Sequence, residues 1–247
     1  MMVRNLAMVG LAALAAAASA DVYSRAYGPK GDLLTKRPTL QWQVWSEGGA
    51  TIKDVWVKWD GERKPATYDL ERRSVLWTPQ SALTPGDYRV EMGAKTSDGM
   101  TVRKEWTLRV RSEASASFAE PCDGERRIKA IVDNLRRPLG LDPVELNPIL
   151  GAAAQSHRGY LVSNDKTGHY QEEGAPGFSG VTPSERLNAF GYVGGSSEVV
   201  FFGNRSLEES VAQLFAAPYH RLAFMQPGSP PMGGSYGDKR LVIEFGE

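Results

Sequence analysis

The feature that most constrains this chain is a change of hydrophobic period near residue 113. Before it, apolar side chains recur at every second position. Leu40, Trp42 and Val44 alternate with Gln41 and Gln43. Val55, Val57 and Trp59 alternate with Trp56 and Lys58. Tyr88, Val90 and Met92 alternate with Arg89 and Glu91, and Trp106, Leu108 and Val110 with Thr107 and Arg109. A period of two belongs to half-buried strands that turn one face to a core. Asp60-Gly61 and Asp98-Gly99 lie between such runs, where a hairpin turn needs positive φ, and Pro85-Gly86 marks another turn. About seven short strands in ~90 residues predict an all-β sandwich of immunoglobulin-like type over residues 24 to 112.

Residues 113 to 119, EASASFA, are small and polar and read as a linker. Beyond them the period becomes helical. Ile128, Ile131, Val132 and Leu135 fall at i, i+3, i+4, i+7, with Asp123 as the expected N-cap and Pro138 and Gly140 as the stop. A second helix opens at Asn147-Pro148 and places Leu150, Ala153, Ala154, His157, Tyr160 and Leu161 on one face. Thr182-Pro183-Ser184-Glu185 and Ser206-Leu207-Glu208-Glu209 have the form of capping boxes, so each predicts a helix start. Gly191 closes the first of these helices and Pro218 the second. EVVFF (198 to 202) and LVIEF (241 to 245) are strand candidates. Residues 120 to 247 thus predict an α+β domain of ordinary size.

The first twenty residues carry Arg4, an apolar run from Leu6 to Ala18, and Ala18-Ser19-Ala20. This is the form of a secretory signal peptide cleaved after Ala20, too short and alanine-rich for a spanning anchor. The expected location is secreted or periplasmic, with no transmembrane anchor after cleavage. Basic and acidic residues number 29 each, and loss of Arg4 leaves 28 against 29. That balance argues against nucleic acid or an anionic membrane as main partner. Cys122 is the single cysteine. An exported chain without an internal disulfide relies on packed cores.

No HExxH, GxSxG or P-loop is present. The chain has three histidines. His157 lies on the buried stripe of its helix and reads as a core histidine with a local hydrogen bond. His169 sits in a loop, where solvation is its ordinary fate. His220, in AAPYHRLAF, follows a helix terminus where the dipole favours a cation. Glu198 heads an apolar strand; it either faces water or is buried with a partner, because an unpaired buried carboxylate is costly.

Four stretches in order change this reading. They are DNLRRPLGLDPVELNPILGAAAQSHRGYL, GHYQEEGAPGFSGVTPSERLNAFGY, SSEVVFF and SLEESVAQLFAAPYHR. Together, residues 126 to 225 resemble the CAP superfamily of cysteine-rich secretory, antigen 5 and pathogenesis-related proteins, also called SCP-like, in its bacterial form. The resemblance implies an α-β-α sandwich with a cleft that holds two histidines and two acids. His169, Glu198 and His220 match three of these positions. The helix position for the second acid is Gln213 to Ala217, which contains none, and no motif places Glu173 or Glu185 there. Two imidazoles and a carboxylate suit a divalent metal such as zinc, so His169, Glu198 and His220 are the expected cleft and metal residues. In the N-terminal half, WDGERKPATYD with SALTPGDYRVEM resembles the Ig-like modules of bacterial envelope proteins.

Three functions follow as expectations. The first is a non-catalytic exported binding protein whose cleft takes a metal, small ligand, peptide or envelope component. The second is a metal-assisted or His/Glu hydrolase. The third is surface binding or adhesion through the β-sandwich, where Trp42, Trp45, Trp56 and Trp59 cluster in sequence. Trp45 and Trp56 oppose the inward set, and cover by the other domain is the plain account of them.

Overall fold

A computed structural model describes residues 21–59 and 61–247. The expected signal peptide lies outside the described residues, as does Asp60 of the Asp60-Gly61 turn; Gly61 itself has φ 78°.

Among the described residues, the N-terminal half contains nine strands: β1 (Val22–Gly28), β2 (Gly31–Thr35), β3 (Leu40–Ser46), β4 (Ile52–Trp59), β5 (Glu62–Pro65), β6 (Thr67–Asp69), β7 (Ser74–Trp77), β8 (Gly86–Thr96) and β9 (Thr101–Ser115). They form two sheets, β1-β3-β7-β6 and β2-β9-β8-β4-β5. The inward sets read from the sequence meet in one core: Leu40, Trp42, Val44 and Val75 from one sheet, Val57, Trp59, Val90, Met92, Leu108 and Val110 from the other. The second sheet is not purely antiparallel, because β2 pairs parallel with β9. Trp56, on the outward face of β4, is 6 % exposed. Its cover comes from its own half: the ring lies against Gly93, whose missing side chain makes room, and Arg63 stacks over it at 3.9 Å. Trp45 stacks on Tyr23 with ring centroids 5.7 Å apart. β9 runs to Ser115, into the stretch read as linker, because Ala114 is buried and Ser115 pairs with Thr35.

The C-terminal half contains α1 (Asp123–Arg136), β10 (Glu145–Leu146), α2 (Pro148–Ser163), α3 (Pro183–Ala189), β11 (Ser196–Phe202), α4 (Leu207–Ala216), α5 (Pro218–Phe224), β12 (Pro231–Gly237) and β13 (Arg240–Gly246). The N-cap of α1 is Cys122, so Asp123 is its first helical residue; Glu125 reaches back to the Cys122 amide at 3.1 Å. The sheet order is β10-β12-β13-β11. Period-two alternation sorts its two faces. Val199, Leu241, Ile243 and Phe245 join α1, α4 and Phe224 of α5 in one cluster, while Val200 and Val242 pack with Ala154, Tyr160 and Leu161 of α2. Glu198 and Glu244 share the parity of Val200 and Val242, which turns both acids toward the α2 layer.

The two halves join along α3. Leu34 of β2 enters a cluster with Leu150, Ala153, Leu187 and Phe190. Asn188 accepts from the Lys30 amide at 3.0 Å and donates to the Lys30 carbonyl at 2.6 Å.

Candidate functional site

Glu198 is the centre of a buried polar network. Its Oε1 takes a hydrogen bond of 2.7 Å from His169 Nδ1, and its Oε2 lies 2.5 Å from Arg186 Nη2. The Glu198 side chain is 1 % exposed and that of Arg186 is 0 %. Arg186 projects inward from α3, which starts where Thr182 and Glu185 satisfy each other's free amides. Its Nη1 donates to the His169 carbonyl at 2.8 Å, so the same guanidinium holds both the carboxylate and the loop that bears the histidine.

His157 comes from α2. Its Nε2 is 3.1 Å from the Gly168 carbonyl, and its Nδ1 is 3.1 Å from Gln171 Nε2. A carbonyl can only accept and an amide nitrogen can only donate, so the ring is neutral with its proton on Nε2. Burial holds this imidazole down, at about 4. Gln171 is oriented in turn by Ser179, whose amide donates to Gln171 Oε1 at 2.7 Å. The expected core histidine is borne out, and it braces the His169 loop from below.

Glu244 is the residue directly opposite Glu198 in the β11/β13 register and is fully buried. Neither of its oxygens has a hydrogen-bond partner that meets ordinary donor geometry. Burial and the neighbouring Glu198 charge push this carboxyl well above the usual range, so Glu244 is neutral where Glu198 is ionised. Burial also works against the Glu198 charge, but the His169 hydrogen bond and Arg186 outweigh it and hold that carboxyl below the usual range. The pair therefore divides into one charged and one protonated acid.

Only His169 carries this network to the surface, with a side chain 37 % exposed. With Nδ1–H committed to Glu198, the neutral ring keeps its lone pair on Nε2. His220 lies on α5. It is half-buried in the first turn of α5, and the buried residues of α5, Ala223 and Phe224, belong to the layer on the Val199 face. His220 makes no hydrogen bond to His169 or Glu198. The helix-end cation expected here is Arg221, which donates to the Phe215 and Ala216 carbonyls that end α4. Pro218 both stops α4 and starts α5, so His220 lies at an N-terminal turn.

The zinc expectation needs three direct ligands, and the arrangement does not fit it as such. Both Glu198 oxygens are engaged by His169 and Arg186. Among the described residues, no group of three or more His, Cys, Asp or Glu side chains is placed to hold a metal ion. Glu173 is exposed, and the Glu185 carboxylate accepts from the Val181 and Thr182 amides. The acid beside Glu198 is thus Glu244 of the last strand. A lone carboxylate in the apolar run LVIEF was its sequence signal, the same signal that singled out Glu198 in EVVFF. Arg186 lies within the SERLNAFGY stretch, but only the fold shows that it turns inward.

Residues 130–240 match the sequence profile of the CAP, or cysteine-rich secretory protein, family. The chain carries a CAP domain there, preceded by a β-rich region of two sheets to which no family is assigned. No curated protein matches the chain. Among solved structures it is similar to an outer surface protein from Borrelia burgdorferi (20% identity, TM-score 0.44, 53% of this chain and 97% of that one). It is also similar to an extracellular protein containing a SCP domain from Bacillus anthracis (13% identity, TM-score 0.42, 70% and 64%). A cysteine-rich secretory protein from Staphylococcus aureus is a further match (10% identity, TM-score 0.31, 92% and 84%). Likenesses at this level carry no functional argument.

Proposed function

We propose that this is an exported binding protein whose CAP domain presents His169 to a small ligand or peptide. One observation carries the reading. Four buried polar side chains, Glu198, Arg186, His157 and Gln171, hold a single half-exposed imidazole and its loop. Such support gives the ring one orientation and one tautomer, the preparation that selective binding needs. The immunoglobulin-like reading of the first half and cleavage after Ala20 belong to the same proposal. Mass spectrometry of the exported protein is expected to show Asp21 at its N-terminus.

Zinc tests the metal part. Two imidazoles, His169 and His220, are fewer protein ligands than zinc sites use. Calorimetric titration with zinc chloride is expected to show no site that both His169→Ala and His220→Ala remove. A wild-type site lost in both variants would establish the chelate and displace this reading.

The His169–Glu198 pairing also suits acid–base work on a water, as an oriented imidazole does. Among the described residues, no Ser, Thr or Cys side chain bonds the His169 ring, so that chemistry has no protein nucleophile in place. Ester and peptide hydrolysis above the His169→Ala background would favour the hydrolase.

A further inference from the structure

The sheet of the C-terminal half ends on one side at β11, which pairs with β13 and with no other strand. The register fixes which of its main-chain groups are used. Just beyond the two ends of the strand, the Glu247 amide donates to the Gly195 carbonyl at 2.9 Å and the Gly203 amide to the Lys239 carbonyl at 3.0 Å. In an antiparallel pair only alternate residues exchange bonds with the partner strand. Both ends give the same phase. Ser197, Val199 and Phe201 bond β13, and the N–H and C=O groups of Ser196, Glu198, Val200 and Phe202 point away from it. Among the described residues, no hydrogen bond reaches these outward groups.

Glu198 shows that the edge is open. Its side chain is 1 % exposed, yet the residue as a whole is half-buried, so its exposed part is main chain. Toward the centre of the strand, Val199 and Val200 are 1 % and 5 % exposed, so the edge is recessed there. The walls are helices: α3 packs on the Glu198 face of β11, and α4 and α5 on the Val199 face.

We infer that β11 takes an extended peptide segment of another protein as an added strand, beside His169. This rests on the reading of His169 as a binding residue and names the class of its ligand. Donors and acceptors that alternate along a strand are complementary to the main chain of an extended peptide, in place of an isolated small molecule. Walls on both faces admit one bare strand, whereas a second copy's β11 brings its own helices to the contact. The peptide residue opposite Glu198 exchanges two main-chain bonds with it and turns its side chain to the same face. On that face the His169 ring, joined to Glu198 at 2.7 Å, presents Nε2 to a hydroxyl or amide donor.

The test uses the full mature chain, labelled with nitrogen-15, and a capped heptapeptide that alternates valine with serine and threonine, at millimolar concentration. Its control is the same sequence N-methylated throughout, which keeps every side chain and loses every main-chain donor. Amide hydrogen exchange is read residue by residue. Without peptide, the amides of Ser197, Val199 and Phe201 are expected to exchange slowly and those of Ser196, Glu198 and Phe202 fast. The peptide is expected to slow the fast set about tenfold or more, and the N-methylated control to leave it unchanged. Ser196→Pro removes one outward donor and no bond to β13, so it is expected to weaken the peptide about fivefold while Val199 and Phe201 stay protected. Slow exchange of the outward set in the free chain, no protection by the peptide, or equal protection by the control would each overturn the inference. Protection that grows with protein concentration alone would assign the edge to a second copy and overturn it too. Shifted His169 ring signals without protection of β11 would overturn the added strand and leave the His169 reading standing. Protection of β11 with those signals unmoved would keep the added strand and remove His169 from it.

Discussion

Glu198 and Glu244 face each other across β11 and β13 with both carboxyls sealed from water, and only one of them carries a charge. Two adjacent buried carboxylates cannot both ionise beside one arginine at reasonable cost. His169 and Arg186 contact Glu198, which selects it as the charged member.

The folded carboxyl of Glu244 is raised above its ordinary value of 4.5. The folded state therefore keeps a proton that the unfolded chain releases. The stability this provides is complete below about pH 4.5 and is lost as pH rises through the raised folded value. Glu244→Gln stays neutral at every pH with nearly the same shape. Its urea midpoint is expected to fall less than that of wild type between about pH 5 and pH 8. Parallel falls would place the titration elsewhere.

His157 has the opposite sign. Burial lowers it from 6.5 to about 4, so the unfolded chain takes the proton first. Its contribution is present above about pH 6.5 and lost as pH falls toward 4, on the order of 3 kcal/mol in all. His157→Ala is expected to flatten this acid-side slope. It also removes partners from Gln171 and Gly168 and leaves a cavity, for a loss of about 2–4 kcal/mol at neutral pH by urea denaturation. A loss below about 0.5 kcal/mol would mean that His157 is not the brace described.

Removal of Arg186 strands the Glu198 charge. Arg186→Met is expected to cost about 3–5 kcal/mol, read as a lower thermal midpoint. Arg186→Lys is expected to recover little, because one ammonium cannot reproduce the forked contacts to Glu198 and to the His169 carbonyl. Full recovery by lysine would show that charge alone matters.

The His169 ring is expected to be protonated on Nδ1 in its neutral form, since that nitrogen donates to Glu198. Long-range proton–nitrogen NMR distinguishes the two tautomers directly. A dominant Nε2–H form would contradict the pairing.

Proteolytic nicking between residues 116 and 121, after the end of β9, is expected to leave the two pieces together in gel filtration. Leu34 packs with Leu187 and Phe190, and Phe118 with Phe190 at 5.6 Å, so the seam has its own apolar core. Leu34→Asp is expected to let the nicked pieces separate.

Local rules settled much of this protein from sequence. The alternation of Leu40, Trp42 and Val44 placed them in a β core, the face of α2 put His157 inside, and the two capping boxes marked the starts of α3 and α4. Each is a short-range signal, written within a few turns of chain or one strand. Ordered motifs added the CAP domain. What tertiary structure alone decided is which charged groups meet. Glu198 and Glu244 lie 46 positions apart and become neighbours only through the β11/β13 register. Arg186 is buried because α3 is pinned between the sheet and β2. Ala223 and Phe224 of α5 enter the Val199 layer, a packing that the Pro218 helix start by itself does not give. Burial sets the protonation of a carboxyl, and burial is a property of everything packed around it, which no local stretch of sequence records.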